Sequence, residues 1–466
     1  MNKIPYDLNI LKNFNQLGQL EDNFFKYEIR KKIWNLFSKK ILTSKWNKDI
    51  EYELFLNSLF FANQYVTSFI AIAKNIDSLD KNHQLEFSNK IFSNLYNFNK
   101  NYKFDFNFIF KQKNYYSNIK RIIRNISFKS FRSIGATNIT IIDHNKYALE
   151  WIYSNKKKYN FIYRPSNKLE EFMKHNNIIK NTLQKSNVID FYLNIIQEIS
   201  KDLNINQSIN NNLLDFCAEF LKNLLGHILF ITNSLDNKTI PKTIISNIGG
   251  FLNSRIISNR CLLLGGEVLR FTHGSGIIKG NQNSVKMNEL CLTSKYYLNN
   301  NNEVNFGKNI YKQDNIFIKK KIDFDCYNQN KEILKKNITL NKANQLKYIY
   351  SVSNFEFYRF PGPATLHDLD YLKFQNKIID FLVKSKINFI YQPHPETTID
   401  IKKNPAEKFN ILKTNFEKSL FINDIFIFDN TLSTTFWKAV YFKKPIILIK
   451  LFNVDDANPY NIRIDK

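Results

Sequence analysis

Three short loops hold the residues of this chain best suited to chemistry. In His273-Gly274-Ser275-Gly276 an imidazole, able to exchange a proton near neutral pH, stands beside two glycines that let backbone approach a ligand closely. In Pro393-His394-Pro395-Glu396 a second imidazole is stiffened by a proline on either side. In Thr431-Leu432-Ser433-Thr434-Thr435 a row of hydroxyls stands where a helix is expected to begin. An imidazole that can exchange a proton, and another that with hydroxyls and helix N–H groups can receive a phosphate, suit a ligand that carries phosphate groups. Each loop has a plainer reading too: a glycine turn with an incidental histidine, a rigid proline turn, a helix cap.

The elements that must position these loops are legible around them. Ile425-Phe426-Ile427-Phe428 is apolar on both faces, which predicts a central parallel strand. Asp429, Asn430 and Thr431 break it, Ser433 to Thr435 cap a helix through Phe442, and Lys443-Lys444-Pro445 ends that helix before a second buried strand over 446–449. Upstream, LKYIYSVS, LDYLKFQNKIIDFLVKSK and INFIY read as strand, helix and strand, so 346–466 is a βαβ pattern with the P-H-P and hydroxyl loops past strand ends. Val268 to Thr272 reads as the strand that delivers His273, after a helix ending near Leu264.

The rest of the chain divides by pattern. Residues 1–100 are helical at three and four spacing and form an N-terminal helical extension. Residues 101–298 form a first α/β domain, with FDFNFIF, TNITIID and YNFIYR as short strands and 167–235 helical, His227 being a core residue. Residues 299–345 are polar and lysine-rich and read as a linker or mobile loop. The D-x-D pairs Asp323/Asp325 and Asp368/Asp370 offer too few oxygens for a hard-cation site, and no metal or other cofactor is expected.

Composition narrows the classes. A chain of 466 residues suits two domains, and 42 Phe with 24 Tyr in 43% hydrophobic content exclude disorder. No apolar run approaches the roughly 18 residues of a membrane span, and the opening MNKIPYDLNILKNFN lacks a signal-peptide pattern, so a cytoplasmic protein is expected. Four cysteines at 217, 261, 291 and 326 have neither zinc-ligand nor disulfide spacing and read as buried thiols. The net charge of +26 attracts polyanions. A basic and aromatic stretch with Lys120, Arg121, Arg124, Lys129 and Arg132 carries no nucleic-acid motif, so nucleic acid is not the expected partner.

The order H-G-x-G, then an H-P loop, then T-x-S-T-T before a helix resembles the GT-B glycosyltransferases of bacterial surface polysaccharide. More narrowly it resembles the surface-carbohydrate transferases related to CDP-glycerol glycerophosphotransferases and capsule Kdo transferases. The resemblance covers about residues 260 to 450. It implies two Rossmann-like domains facing a cleft, the second, 346–466, binding the nucleotide. It also implies inverting, metal-independent transfer of a sugar or polyol phosphate from a nucleotide-activated donor to a glycan or lipid-linked acceptor. His273 would be the general base, His394, Ser433, Thr434 and Thr435 would bind donor phosphates, and Gly274, Ser275 and Gly276 would shape the acceptor side. Two positions depart from the pattern: Gln392 replaces a basic residue and Lys438 a ribose-binding glutamate, which leaves Arg359 and Lys438 as alternative cations and Glu396 as a further ligand group. The basic surface suits an anionic membrane at the inner face. A nucleotide-sugar epimerase on the same fold and a non-enzymatic nucleic-acid binder are the alternative readings.

Overall fold

The computed structural model describes residues 2–5, 49–78, 83–86, 90–97, 137–166, 168–173, 186–246, 251–272, 289–298, 301–310, 322–327, 346–352, 368–393, 424–429 and 434–449, with Lys32, Leu36, Phe416, Ser419 and Leu420. The fold is α/β, with every strand pair parallel. Among the described residues, strands β1 (Asn2–Pro5) and β2 (His83–Glu86) pair with each other alone. Six strands form the larger sheet: β3 (Thr137–Ile141), β4 (Tyr159–Tyr163), β5 (Thr243–Ser246), β6 (Glu267–Phe271), β7 (Lys295–Leu298) and β8 (Asp323–Cys326), in the order β4-β3-β5-β6-β7-β8. The smaller sheet holds β9 (Tyr348–Ser351), β10 (Phe389–Gln392), β11 (Ile425–Phe428) and β12 (Ile446–Leu448), in the order β10-β9-β11-β12.

In both sheets the first strand lies inside and the chain winds outward from it in two directions. This is the doubly wound order, compatible with a Rossmann-like fold, and it opens a crevice at the carboxyl ends where the connections diverge. The crevice lies between β3 and β5 in the larger sheet and between β9 and β11 in the smaller.

Helices cover both faces of the larger sheet because its strands are apolar on both sides. Ile244 and Val268 face a core shared with α1 (Asp49–Ser78), α4 (Asn187–Asp202), α5 (Gln207–Ser234) and α6 (Leu252–Leu263). Their neighbours Ile245 and Leu269 face the opposite way, onto Trp151 and Ala148 of α3 (Lys146–Asn155). Helix α2 (Lys90–Tyr96) also joins the first core. The remaining α-helices among the described residues are α7 (Asn301–Ile310), α8 (Asp368–Lys384) and α9 (Thr434–Tyr441).

Helix α1 comes from the stretch read as an extension, and it packs between α5 and α6. Phe69 meets Phe216 and Phe220 edge-on at 5.4 and 5.1 Å, while Glu53 on the other side pairs with Arg260 of α6. Being apolar around most of its girth, it has no face to offer water and is buried. Among the described residues no helix is long and apolar enough to cross a membrane.

Helix ends follow local chemistry. Asn145, Ser186 and Asn206 cap α3, α4 and α5 by accepting from the backbone two or three residues on. Gly265, at φ 78°, ends α6: its N–H reaches the Leu262 carbonyl at 3.0 Å and that of Gly266 reaches Cys261 at 2.8 Å. Lys443, at φ 51°, ends α9 in the same way, with its N–H on Val440 and that of Lys444 on Ala439.

Three local expectations change. Within 1–100, read as helical, residues 2–5 and 83–86 are the paired strands β1 and β2. Within 299–345, residues 301–310 are α7 and 323–326 are the edge strand β8, whose Asp323 and Asp325 lie 3.5 and 2.9 Å from Lys295 of β7. Strand β12, expected to be buried, is an edge strand with Ile447 45% exposed.

Candidate functional site

Strand β11 organises the smaller sheet. It lies between β9 and β12, with Ile427 packed among Tyr350, Phe389 and Ile379 on one face and Phe426 and Phe428 against Phe416, Leu420 and Phe436 on the other. At its carboxyl end Asp429 is only 3% exposed, and its Oδ2 accepts from the hydroxyls of Tyr350 (2.9 Å) and Tyr371 (2.8 Å). Burial, then the Asp429 charge, holds both tyrosines well above their ordinary pKa. Tyr391 on β10 donates to Gln375 of α8 at 2.9 Å, so buried hydrogen bonds tie β9 and α8 to the end of β11 and β10 to α8.

Strands β10 and β11 both border β9, roughly 10 Å apart at the strand spacing of parallel sheets. His394 follows the end of β10 by two residues and Ser433 that of β11 by five. The strands that feed the P-H-P and hydroxyl loops therefore end together on one side of the smaller sheet. Thr434 and Thr435 begin α9, whose first-turn N–H groups have no partner within the helix, and half-buried Lys438 lies one turn on. Gln392, one of the two departures from the resembled pattern, is 6% exposed at the end of β10. His394, Ser433, Arg359 and Glu396 lie outside the described residues.

The larger sheet presents a second polar rim. Strand β3 runs directly into Asp143, His144 and Asn145 at the carboxyl end. Asp143 is 8% exposed and accepts from Ser254 of α6 and from Ser166 (3.3 Å), the two hydroxyl oxygens lying 2.8 Å apart. Asn145 caps α3 through Oδ1, and its Nδ2 donates to the carbonyls of Phe271 and Thr272, both at 3.1 Å. The half-buried His144 ring meets Tyr163 edge-on at 5.8 Å. Thr272 is fully buried at the end of β6; His273, Gly274, Ser275 and Gly276, which follow it, lie outside the described residues.

No family model, curated protein or solved structure matches this chain. Its site must therefore be read from its own geometry. Sequence reasoning missed Asp143, His144 and Asn145, although D-H-N directly after an alternating strand was visible. It also took Asp429 only as a strand breaker, since nothing local reveals that Tyr350 and Tyr371 converge on it.

Proposed function

We propose that this chain is a GT-B-type transferase, with two Rossmann-like units facing a cleft. It moves a sugar or polyol phosphate from a nucleotide-activated donor to a glycan or lipid-linked acceptor of a surface polysaccharide. The observation that supports the reading is the smaller sheet: its doubly wound order leaves a crevice between β9 and β11, and the segments bearing His394 and Ser433 follow β10 and β11, whose carboxyl ends lie at that same end of the sheet. A phosphate there would meet the first turn of α9.

In this reading His394, Ser433, Thr434 and Thr435 bind the donor phosphates and stabilise the leaving group, with Arg359, Glu396 and Lys438 as supporting groups. His273 takes the proton of the acceptor hydroxyl, and Gly274, Ser275 and Gly276 let the acceptor approach. Transfer is a single inverting displacement, carried out in the cytoplasm at an anionic membrane surface that attracts the +26 chain.

The test is thermal unfolding against CMP, CDP, UDP, GDP and dTDP, with and without His394→Ala. A nucleotide at about 100 times its Kd adds roughly 2.7 kcal/mol, and the variant is expected to lose that gain. No stabilisation by any of the five would sink the nucleotide-donor reading. With a donor in hand, His273→Ala is expected to lower turnover by about 10² to 10⁴.

A further inference from the structure

The four strands of the smaller sheet are parallel, so the segments that enter them meet at one edge, opposite the crevice. Tyr348 of β9 lies beside Phe389 of β10 and Ile425 of β11, and Ile446 of β12 lies beside Phe426. Helices α8 and α9 end at the same edge, because each is the crossover that leads into a strand, α8 into β10 and α9 into β12.

The groups collected on this rim are apolar and basic. In the last turn of α8, Phe381 is 62% exposed and Val383 is exposed, with exposed Lys384 and Lys386 beside them. Val440 is exposed in the last turn of α9, and exposed Lys443 follows. Leu346, 52% exposed, and exposed Lys347 lead into β9. Of the large apolar side chains exposed on the smaller sheet and its helices, among the described residues, Ile447 alone lies elsewhere, on edge strand β12. Carboxylates do not cancel the lysines: Asp424 is buried and accepts from the Lys347 backbone N–H at 3.0 Å, and Asp380 is the exposed acid among the described residues of the rim.

Apolar groups gathered in water gain free energy when a partner covers them. A bilayer with acidic headgroups matches both kinds of group, taking aliphatic and aromatic side chains at its acyl boundary and lysine ammoniums among its phosphates. A nucleic acid would satisfy the lysines alone. We infer that the amino-terminal rim of the smaller sheet docks on an anionic lipid bilayer, with Phe381, Val383 and Val440 entering the headgroup boundary and Lys347, Lys384 and Lys443 among the lipid phosphates. This docking rests on the membrane surface of the proposed transferase, and it leaves the crevice, at the opposite edge, open to a donor from solution.

The test is co-sedimentation of the whole chain with vesicles of phosphatidylcholine alone and of phosphatidylcholine with about 30% phosphatidylglycerol. Only the anionic vesicles are expected to bind it. Phe381→Ser should weaken that binding about tenfold, and Lys347→Gln with Lys384→Gln about twenty-fivefold, near fivefold for each charge. Lys157→Gln with Lys238→Gln removes the same charge from exposed sites of the larger-sheet region and should change binding by less than about twofold. All the side chains altered are exposed, so the variants are expected to fold. The docking is overturned if anionic vesicles do not bind the unaltered chain, if the Lys157 and Lys238 pair matters as much as the Lys347 and Lys384 pair, or if Phe381→Ser binds as before. Self-association without lipid that Phe381→Ser abolishes would overturn it too, making the rim a contact between copies. Nucleotide stabilisation, measured without vesicles, separates the docking from the transferase reading: Phe381→Ser should keep it, and a chain that binds vesicles through the rim but no nucleotide loses that reading and keeps the docking.

Discussion

Replacing Tyr371 by phenylalanine probes how the end of β11 is anchored. The Asp429 carboxylate is buried, and two of the hydrogen bonds that reach it come from Tyr350 on β9 and Tyr371 on α8. A hydrogen bond to a charged group contributes about 1.5–3 kcal/mol net. Tyr371→Phe removes one oxygen and leaves the ring packing intact, so its expected cost is about 2 kcal/mol. Tyr350→Phe should cost a similar amount, and the double variant more than the sum, because the carboxylate then stays buried without either hydroxyl.

The assay is amide hydrogen exchange read on peptides, since global unfolding of a chain with two separate sheets need not be a single transition. A loss of 2 kcal/mol corresponds to about thirtyfold faster exchange in β11 and α8, with β3 and β5 unchanged as the internal control. The pH response has a definite sign. Both tyrosines have folded pKa values above the unfolded value of 10.0, so their contribution is complete below it and falls as the pH rises beyond it. Tyr371→Phe should lose part of that alkaline slope. Unchanged exchange in β11 on loss of the Tyr371 hydroxyl would refute the reasoning that this bond holds the strand end.

Three further outcomes are expected. Glu53 and Arg260 join α1 to α6 through two bonds of 3.2 and 3.1 Å, with the Glu53 side chain 6% exposed, so Glu53→Ala should cost about 3–5 kcal/mol in urea unfolding, and Glu53→Leu with Arg260→Met much less. A methyl group at Gly266 would lie 2.6 Å from Cys261 Sγ and 2.7 Å from the Lys242 carbonyl oxygen, so Gly266→Ala should lower Tm through a clash costing about 1–3 kcal/mol, whereas the open surroundings of Gly265 confine its cost to backbone strain at φ 78°. Burial raises the pKa of Glu289 despite the Tyr296 hydroxyl and the Arg270 charge, so its contribution is greatest below the ordinary glutamate value of 4.5 and is lost as the pH rises toward the folded value; Glu289→Gln should flatten that part of the stability–pH curve.

Local periodicity determined much of this protein. The apolar run of β11, the three and four spacing of α8 and the Gly-Gly after α6 each act within a few residues, so the sequence alone predicts strand, helix and stop. The placement of the P-H-P and hydroxyl loops just past strand ends was legible for the same reason. Polarity misled at β8, whose aspartates are offset by Lys295 on a neighbouring strand that local pattern does not reveal.

Strand order was decided only by the tertiary structure, because it depends on which backbone edges pair across dozens of residues. That order is what turns two series of βα units into two crevices and gives Asp143 and Asp429 their places. Asp143 meets Ser254 across 111 positions and Asp429 meets Tyr350 across 79, and no spacing rule reaches that far. Helix α1 is the same lesson in packing: three and four spacing predicts a helix, and only the fold shows that α5 and α6 bury it.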